Sequence, residues 1–291
     1  MLHRILVPLD GTAGGEQALP LAEYLARETD SALLLARIAP ITQWNAAGPG
    51  REVWPEIYDN AVATEEEQAR AYLNHLALAI TNRGLRVETY VRTGEPTEDL
   101  LALDAQTDVD LIVMASHMRS GAARLALGSL ADHLVRYGKA PVMIVRNSGA
   151  SHDPIHLDHG IVPLDGSSIA AGALEMVIQL AGVVIHRVTL VRAVDPTAPS
   201  SEAEDARRYL EAIREQLLER VGRQDFVVES RLLYGDAAHQ ILGYTHNEGD
   251  LIVMATHGRT GLQRWALGSV AERIVHTATI PLILVRPQQL Q

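Results

Sequence analysis

From residue 160 onward the chain alternates short, wholly apolar runs with longer stretches in which apolar residues recur every three or four positions. Residues 160–164 predict a strand and 169–180 a helix. Residues 183–191, rich in β-branched side chains, predict a second strand. Residues 202–221 form a charged stretch in which Leu210, Ile213, Leu217 and Val221 keep helical spacing. A strand over 226–233, a helix over 237–244, a strand over 251–255, a helix over 270–276 and a strand over 281–285 complete the series. The strands are apolar throughout rather than alternating, which is the pattern of burial on both faces. Five such strands interleaved with four helices imply a parallel sheet covered on either side.

The same order occurs twice. Ile5-Leu-Val-Pro-Leu-Asp-Gly11 recurs as Gly160-Ile-Val-Pro-Leu-Asp-Gly166, and residues 110–146 align without gaps on 250–286 with 19 identities in 37 positions. The two motif pairs are offset by 155 and 140 residues, so the first copy carries about fifteen extra residues, nearly all between Pro40 and Gly94. That insertion, near 40–62, holds Trp44, Gly48, Pro49, Gly50, Trp54 and Pro55 and reads as an irregular excursion. Residues 147–159 are polar and turn-rich, with Pro154, and mark the boundary. Two domains follow, 1–147 and 148–291. Each is a doubly wound α/β unit with a five-stranded parallel sheet, and the repeat is too long to be a solenoid unit.

Composition narrows the chemistry. Of 291 residues, 47% are hydrophobic and only 4% aromatic, with Phe226 the single phenylalanine, so the core is aliphatic. A net charge of -11 argues against non-specific binding to nucleic acid or acidic membranes, which need basic surface. The absence of cysteine excludes disulfides and thiolate metal sites. No apolar run reaches the ~18 residues of a membrane helix, and the opening strand-like run has no secretory pattern. The expectation is a soluble, cytoplasmic protein. Lys139 is the only lysine, so nearly all positive charge is arginine.

In doubly wound sheets ligands sit at the carboxyl ends of the strands, where strand order reverses. With the first strand central, that crevice lies between strands one and four, and the two best-preserved repeat motifs follow those strands. Asp165 ends strand one, and Ala255-Thr-His-Gly-Arg-Thr-Gly261 follows strand four. Gly258 and Gly261 permit close backbone approach, so successive N–H groups can cradle an anion. The loop runs to Gly268-Ser269-Val-Ala-Glu272, where Ser269 and Glu272 read as a capping box that opens a helix. The helix N-terminus faces the crevice, and Arg259 and Arg264 can add charge-assisted hydrogen bonds.

The pattern Ala255-x2-Gly258-x9-Gly268-Ser269 resembles that of the universal stress protein family, whose nucleotide-binding members carry G-x2-G-x9-G-[S/T] after the fourth strand. The resemblance extends over nearly the whole chain as two tandem domains of the Rossmann-type, adenine-nucleotide alpha-hydrolase-like fold. It implies ATP as ligand, with Pro163, Leu164 and Asp165 on the adenosine side and Ala193 against adenine. The 255–259 loop, with Ala255, His257, Gly258 and Arg259, together with Gly268, Ser269 and Val270, would hold the phosphates, and Met254 just before it is a further nucleotide-binding candidate. A magnesium or manganese ion, if present, would be held by the phosphates and not by a protein metal site. Ala255 departs from the first glycine by one methyl group. The first copy departs further, because Met118 stands where Gly258 stands in the second. Asp10, Ile38, Gly128 and Ser129 therefore make a weaker candidate site.

Other constellations read as structural. His152, His156 and His159 crowd the linker with Asp153 and Asp158, without metal-ligand spacing. His117 and His257 occupy equivalent loop positions, where they hydrogen-bond their own loop, meet a phosphate or act as acid–base groups. Glu65, Glu66 and Glu67 read as a solvated face. No Walker loop, dinucleotide fingerprint or nucleophile elbow occurs, and no clustered Ser/His/Asp set stands out, so no catalytic residue is assigned. The expectation is an ATP-binding regulatory module acting in stress response. A nucleotide-independent scaffold and a slow ATPase or nucleotidyl-transfer enzyme remain the alternatives. The closing strands are expected to pair as an internal pseudo-dimer, and a further homodimer and a regulatory protein partner are expected from the resemblance, with no nucleic acid and no membrane.

Overall fold

The computed structural model describes residues 1–40, 55–116, 127–146, 156–245, 249–257 and 267–286. The first half runs β1 (Arg4–Pro8), α1 (Ala13–Glu16), α2 (Leu19–Thr29), β2 (Ala32–Pro40), α3 (Pro55–Thr81), β3 (Val87–Gly94), α4 (Pro96–Gln106), β4 (Leu111–Ala115), α5 (Ser129–Tyr137) and β5 (Val142–Val145). The second runs β6 (His159–Pro163), α6 (Ser168–Ala171), α7 (Leu174–Leu180), β7 (Arg187–Val194), α8 (Ser200–Val221), β8 (Val227–Tyr234), α9 (Ala237–Tyr244), β9 (Asp250–Ala255), α10 (Ser269–Thr277) and β10 (Leu282–Val285).

The ten strands of the described residues form one sheet in the order β3-β2-β1-β4-β5-β10-β9-β6-β7-β8. Within each half every pair is parallel and the first strand is central, flanked by the second and fourth. The halves meet where β5 and β10 pair antiparallel, with Ile144 opposite Leu282 and Val142 opposite Leu284. The closing strands thus cover each other's edges, as a sheet edge requires. Strand alternation sends Val7, Val113 and Met143 to one face and Leu6, Met114 and Ile144 to the other. Helices α2, α3, α7 and α8 cover the first face, and α4, α5, α9 and α10 cover the second. The result is a three-layer α/β/α arrangement whose two aliphatic layers run through both halves. Among the described residues, no helix is long and apolar enough to cross a membrane.

Several local expectations change. The helix expected over 169–180 is two pieces, α6 and α7, because a turn at Gly172 and Ala173 interrupts it; the chain breaks in the same place between α1 and α2. The strand expected from 183 begins at Arg187. Gly182 takes φ +68° and its N–H donates to Ile185 O at 2.7 Å, so Val184 and Ile185 are buried in a tight turn. Part of the insertion is regular, since residues 55–62 lie in α3, which has 27 residues against 22 in α8. Trp44, Gly48, Pro49, Gly50 and Trp54 lie outside the described residues. Glu66 is not simply solvated: it is half-buried and accepts a hydrogen bond from Thr93 at 2.9 Å.

The linker histidines also separate. His156 packs edge-on to Tyr24, whereas His159 is the first residue of β6. His159 Nδ1 meets Asp250 Oδ1 at 2.9 Å and Nε2 meets Thr189 Oγ1 at 2.8 Å, with the three residues 7%, 0% and 1% exposed. This Asp–His–Thr line escaped the sequence reading because its members lie 30 and 91 residues apart. It sits where β6 and β9 begin, at the opposite end of the sheet from the expected crevice, and is sealed from solvent. It fastens strands rather than performing chemistry. His152 and Asp153 lie outside the described residues. Among those described, no group of three or more His, Asp or Glu side chains is arranged to hold a metal ion.

Candidate functional site

In the second half, β6 leaves the sheet through Leu164, whose N–H donates to Val191 O at 2.8 Å. Asp165 follows, and Gly166 turns the chain at φ +90°, a backbone region that a side chain would strain. Asp165 Oδ1 accepts from the Ser167 N–H at 2.9 Å and from its hydroxyl at 2.6 Å, while Ser167 Oγ accepts from Ala170 N at 3.1 Å. The carboxylate is therefore held at the start of α6 by two local bonds. From β9, the Thr256 N–H donates to Val285 O at 3.0 Å. Gly268 N–H then returns to Thr256 O at 2.9 Å, which closes the base of the intervening loop.

Gly268 is the N-cap of α10, with φ −62° and ψ 148°, and its carbonyl accepts from Glu272 N at 2.8 Å. The expected capping box is not formed: the cap is one residue earlier, and no side chain caps the helix. The physical reason is that glycine takes the extended cap conformation itself, which moves Ser269 into the first helical position. Ser269 thereby faces outward at the helix start instead of being spent on its backbone.

These segments enclose a cavity of about 280 Å³. Pro163, Leu164 and Asp165 form one wall and Ala193 at the end of β7 another. Met254, Ala255 and His257 close the β9 side, and Gly268, Ser269 and Val270 present the helix N-terminus. Gly258 and Arg259 lie outside the described residues. The structure adds lining that sequence reasoning missed: Ala170, Val191, Ala271 and, on α9, Ala237 and Ile241. The α9 pair is spaced by four residues, one helix face, which was a legible signal of a buried stripe but not of a ligand wall. Apolar side chains make most of the lining. Polar groups gather at Asp165, Thr256, His257 and Ser269, and His257 Nδ1 shares a hydrogen bond with Thr256 Oγ1 at 2.9 Å. An apolar cleft with a few convergent polar groups and a helix N-terminus is suited to a flat organic ring joined to an anionic tail.

The sequence profile of the universal stress protein family matches residues 1–146 and again 158–286. The chain belongs to the universal stress protein family. A universal stress protein of Mycolicibacterium smegmatis is 27% identical over 308 residues, covering 98% of both chains. One of Mycobacterium tuberculosis is 26% identical over 298 residues, covering 98% of this chain and 97% of its own. The crystal structure of a universal stress protein from Archaeoglobus fulgidus superposes with a TM-score of 0.72 at 17% identity, covering 98% of each chain, which shows a common two-domain fold.

The first universal stress protein domain repeats the loop and alters the cavity. Asp10 Oδ1 accepts from the Thr12 N–H and hydroxyl at 2.9 and 2.7 Å, and Gly11 turns at φ +82°. The cavity beside it measures about 160 Å³ and is lined by Asp10 and Ile38, with Arg37, Pro40 and Pro96. Register explains the difference: Pro8 pairs with Ala36 as Pro163 pairs with Val191, so Ile38 occupies the place of Ala193. Gly128 caps α5 and Ser129 opens it, but neither lines this smaller cavity; Leu130 does. Arg37 lies 5.0 Å from the centre of the Tyr72 ring, and the Tyr72 hydroxyl donates to Glu16 at 2.9 Å. Burial and then that bond to Glu16 push the Tyr72 pKa upward. In the second domain Arg192 stacks on Tyr209 at 5.4 Å, and Ala171 stands where Glu16 does. Met118 and His117 lie outside the described residues.

Proposed function

We propose that the second domain binds ATP in the 280 Å³ cleft and that occupancy biases an interaction surface, making the protein a nucleotide-responsive regulatory module. The observation that carries this reading is the convergence of four separate segments on one cavity. The ends of β6, β7 and β9 supply apolar walls for a base and ribose, and the open N-terminus of α10 supplies an anion-binding end. Its volume is just below that of ordinary ligand pockets, roughly 300–1,000 Å³, so it encloses the nucleoside while the phosphates extend along Gly268 and Ser269. The described residues contain no built divalent site, so a magnesium or manganese ion would take most of its ligands from the phosphates. The first domain, with Ile38 filling the base position and Met118 in the loop, binds nucleotide weakly or not at all. Calorimetric titration of the full chain with ATP tests the assignment. Wild type binds, and Gly258→Met, which copies Met118 into the second loop, loses binding by about 100-fold or more. Unchanged affinity in that variant places the phosphates elsewhere.

A further inference from the structure

Among the described residues, two buried polar side chains at the seam of the sheet have no hydrogen-bond partner: the Ser116 hydroxyl and the Arg146 guanidinium, through Nε and Nη2. Ser116 is 5% exposed and Arg146 8%. Their backbones run side by side. The Ser116 N–H donates to Val145 O at 3.0 Å, which continues the β4–β5 ladder one step past the Ala115–Val145 pair. Met114 and Ile144 belong to the same apolar layer, so the residues two places on, Ser116 and Arg146, continue the alternation onto that face.

The second domain shows what partnered counterparts look like. Arg286 follows β10 as Arg146 follows β5, but it is exposed, and its Nη1 donates to Tyr137 O at 3.1 Å at the end of α5. Thr256, the counterpart of Ser116, shares its hydroxyl with His257 at 2.9 Å. Only burial acts on the Arg146 pKa, lowering it, with no carboxylate opposing. Arginine does not shed its proton in proteins, and a buried unpaired charge costs several kilocalories. Among the described residues, no carboxylate faces this cation.

We infer that Arg146 and Ser116 hold a small inorganic anion at the seam between the domains. The guanidinium supplies charge and two N–H donors, and the hydroxyl supplies a third. This site is separate from the ATP cleft, whose lining includes neither residue, and it stands whether or not ATP binds there.

The test uses the full chain without nucleotide, in potassium gluconate at constant ionic strength, titrated with potassium chloride or with inorganic phosphate. Wild type is expected to gain roughly 2–4 °C in melting temperature and to saturate. Arg146→Met is expected to respond to neither anion, and to melt above wild type in gluconate alone because the uncompensated charge is gone. Arg286→Met keeps the wild-type response, and so does Gly258→Met, which separates this site from phosphate bound in the ATP cleft. A response to chloride alone supports the site and sets its size. Should Arg146→Met fail to fold, Ser116→Ala is expected to weaken the apparent affinity by about tenfold. Labelled phosphate or chloride-35 line broadening on wild type reads occupancy directly. A wild type indifferent to both anions overturns the inference, as does an Arg146→Met or Ser116→Ala variant that responds like wild type.

Discussion

At the carboxyl end of β7 the second domain carries Ala193, and at the same register on β2 the first domain carries Ile38. The adjoining cavities measure about 280 and 160 Å³. Arg37 enters the smaller one, whereas its counterpart Arg192 is absent from the lining of the larger. The Asp-Gly loops are nevertheless built alike, with the same pair of hydrogen bonds onto Asp10 and Asp165. A duplicated fold has thus kept its scaffold and loop geometry while side chains at a few positions decide how much room a ligand finds. The halves differ at the other end of the strands as well. There the second domain buries His159 against Asp250, and the first has Arg4 reaching the exposed Glu88 at 3.0 Å.

That last contrast yields the largest expected effect. His159→Ala removes the buried hydrogen bond to Asp250 and should cost about 3–5 kcal/mol in urea unfolding. Arg4→Ala removes a solvent-screened pair and should cost about 0–1 kcal/mol. Similar losses at both positions would show that burial does not distinguish the two strand starts.

The cavities offer the next contrast. Ala193→Ile copies the first domain's side chain into the second and should weaken ATP binding by about tenfold or more, read by calorimetry. An undiminished affinity would move the base away from β7. The reverse exchange, Ile38→Ala with Met118→Gly, should open the first domain and add a second, weaker equivalent of ATP. If stoichiometry stays at one, Arg37 or Pro40 closes that site instead.

The smallest effect concerns how the cleft helices are tied. Arg273 donates to Asp236 at 2.6 Å, joining α10 to the cap of α9. That bond, followed by the His239 N–H, holds the Asp236 pKa below the ordinary carboxylate value. A depressed carboxylate contributes stability above its unfolded pKa, about 3.9, and loses it as pH falls. Asp236→Asn should therefore be slightly less stable than wild type at pH 7 and converge with it only as pH falls below the ordinary carboxylate range, through the depressed folded pKa. A difference that persists in acid would mean that the ion pair is not its source.

Most of the architecture was legible because aliphatic strands and a duplicated order leave few topologies. The second-domain cleft was legible at Asp165, Ala255 and Gly268 because their motifs lie in two short segments. Ala237 and Ile241 were not, since only the return of α9 over the sheet brings them to the cavity. The role of Ile38 in narrowing the first cavity needed strand register, which no local pattern carries. The apolar run at 183–185 reads as strand in sequence, but the positive φ of Gly182 folds it into a turn. His159 looked like linker because its partners Thr189 and Asp250 are remote in sequence and meet it only across three strands.

On the proposed reading the chain holds one working nucleotide site, in the second domain. Acid extraction of purified, unsupplemented protein, with the released nucleotide identified by liquid chromatography and mass spectrometry, tests it most directly when wild type and Gly258→Met are run side by side. About one ATP per wild-type chain and almost none from the variant is the expected result. An undiminished yield from Gly258→Met, or about two ATP per wild-type chain, would contradict it.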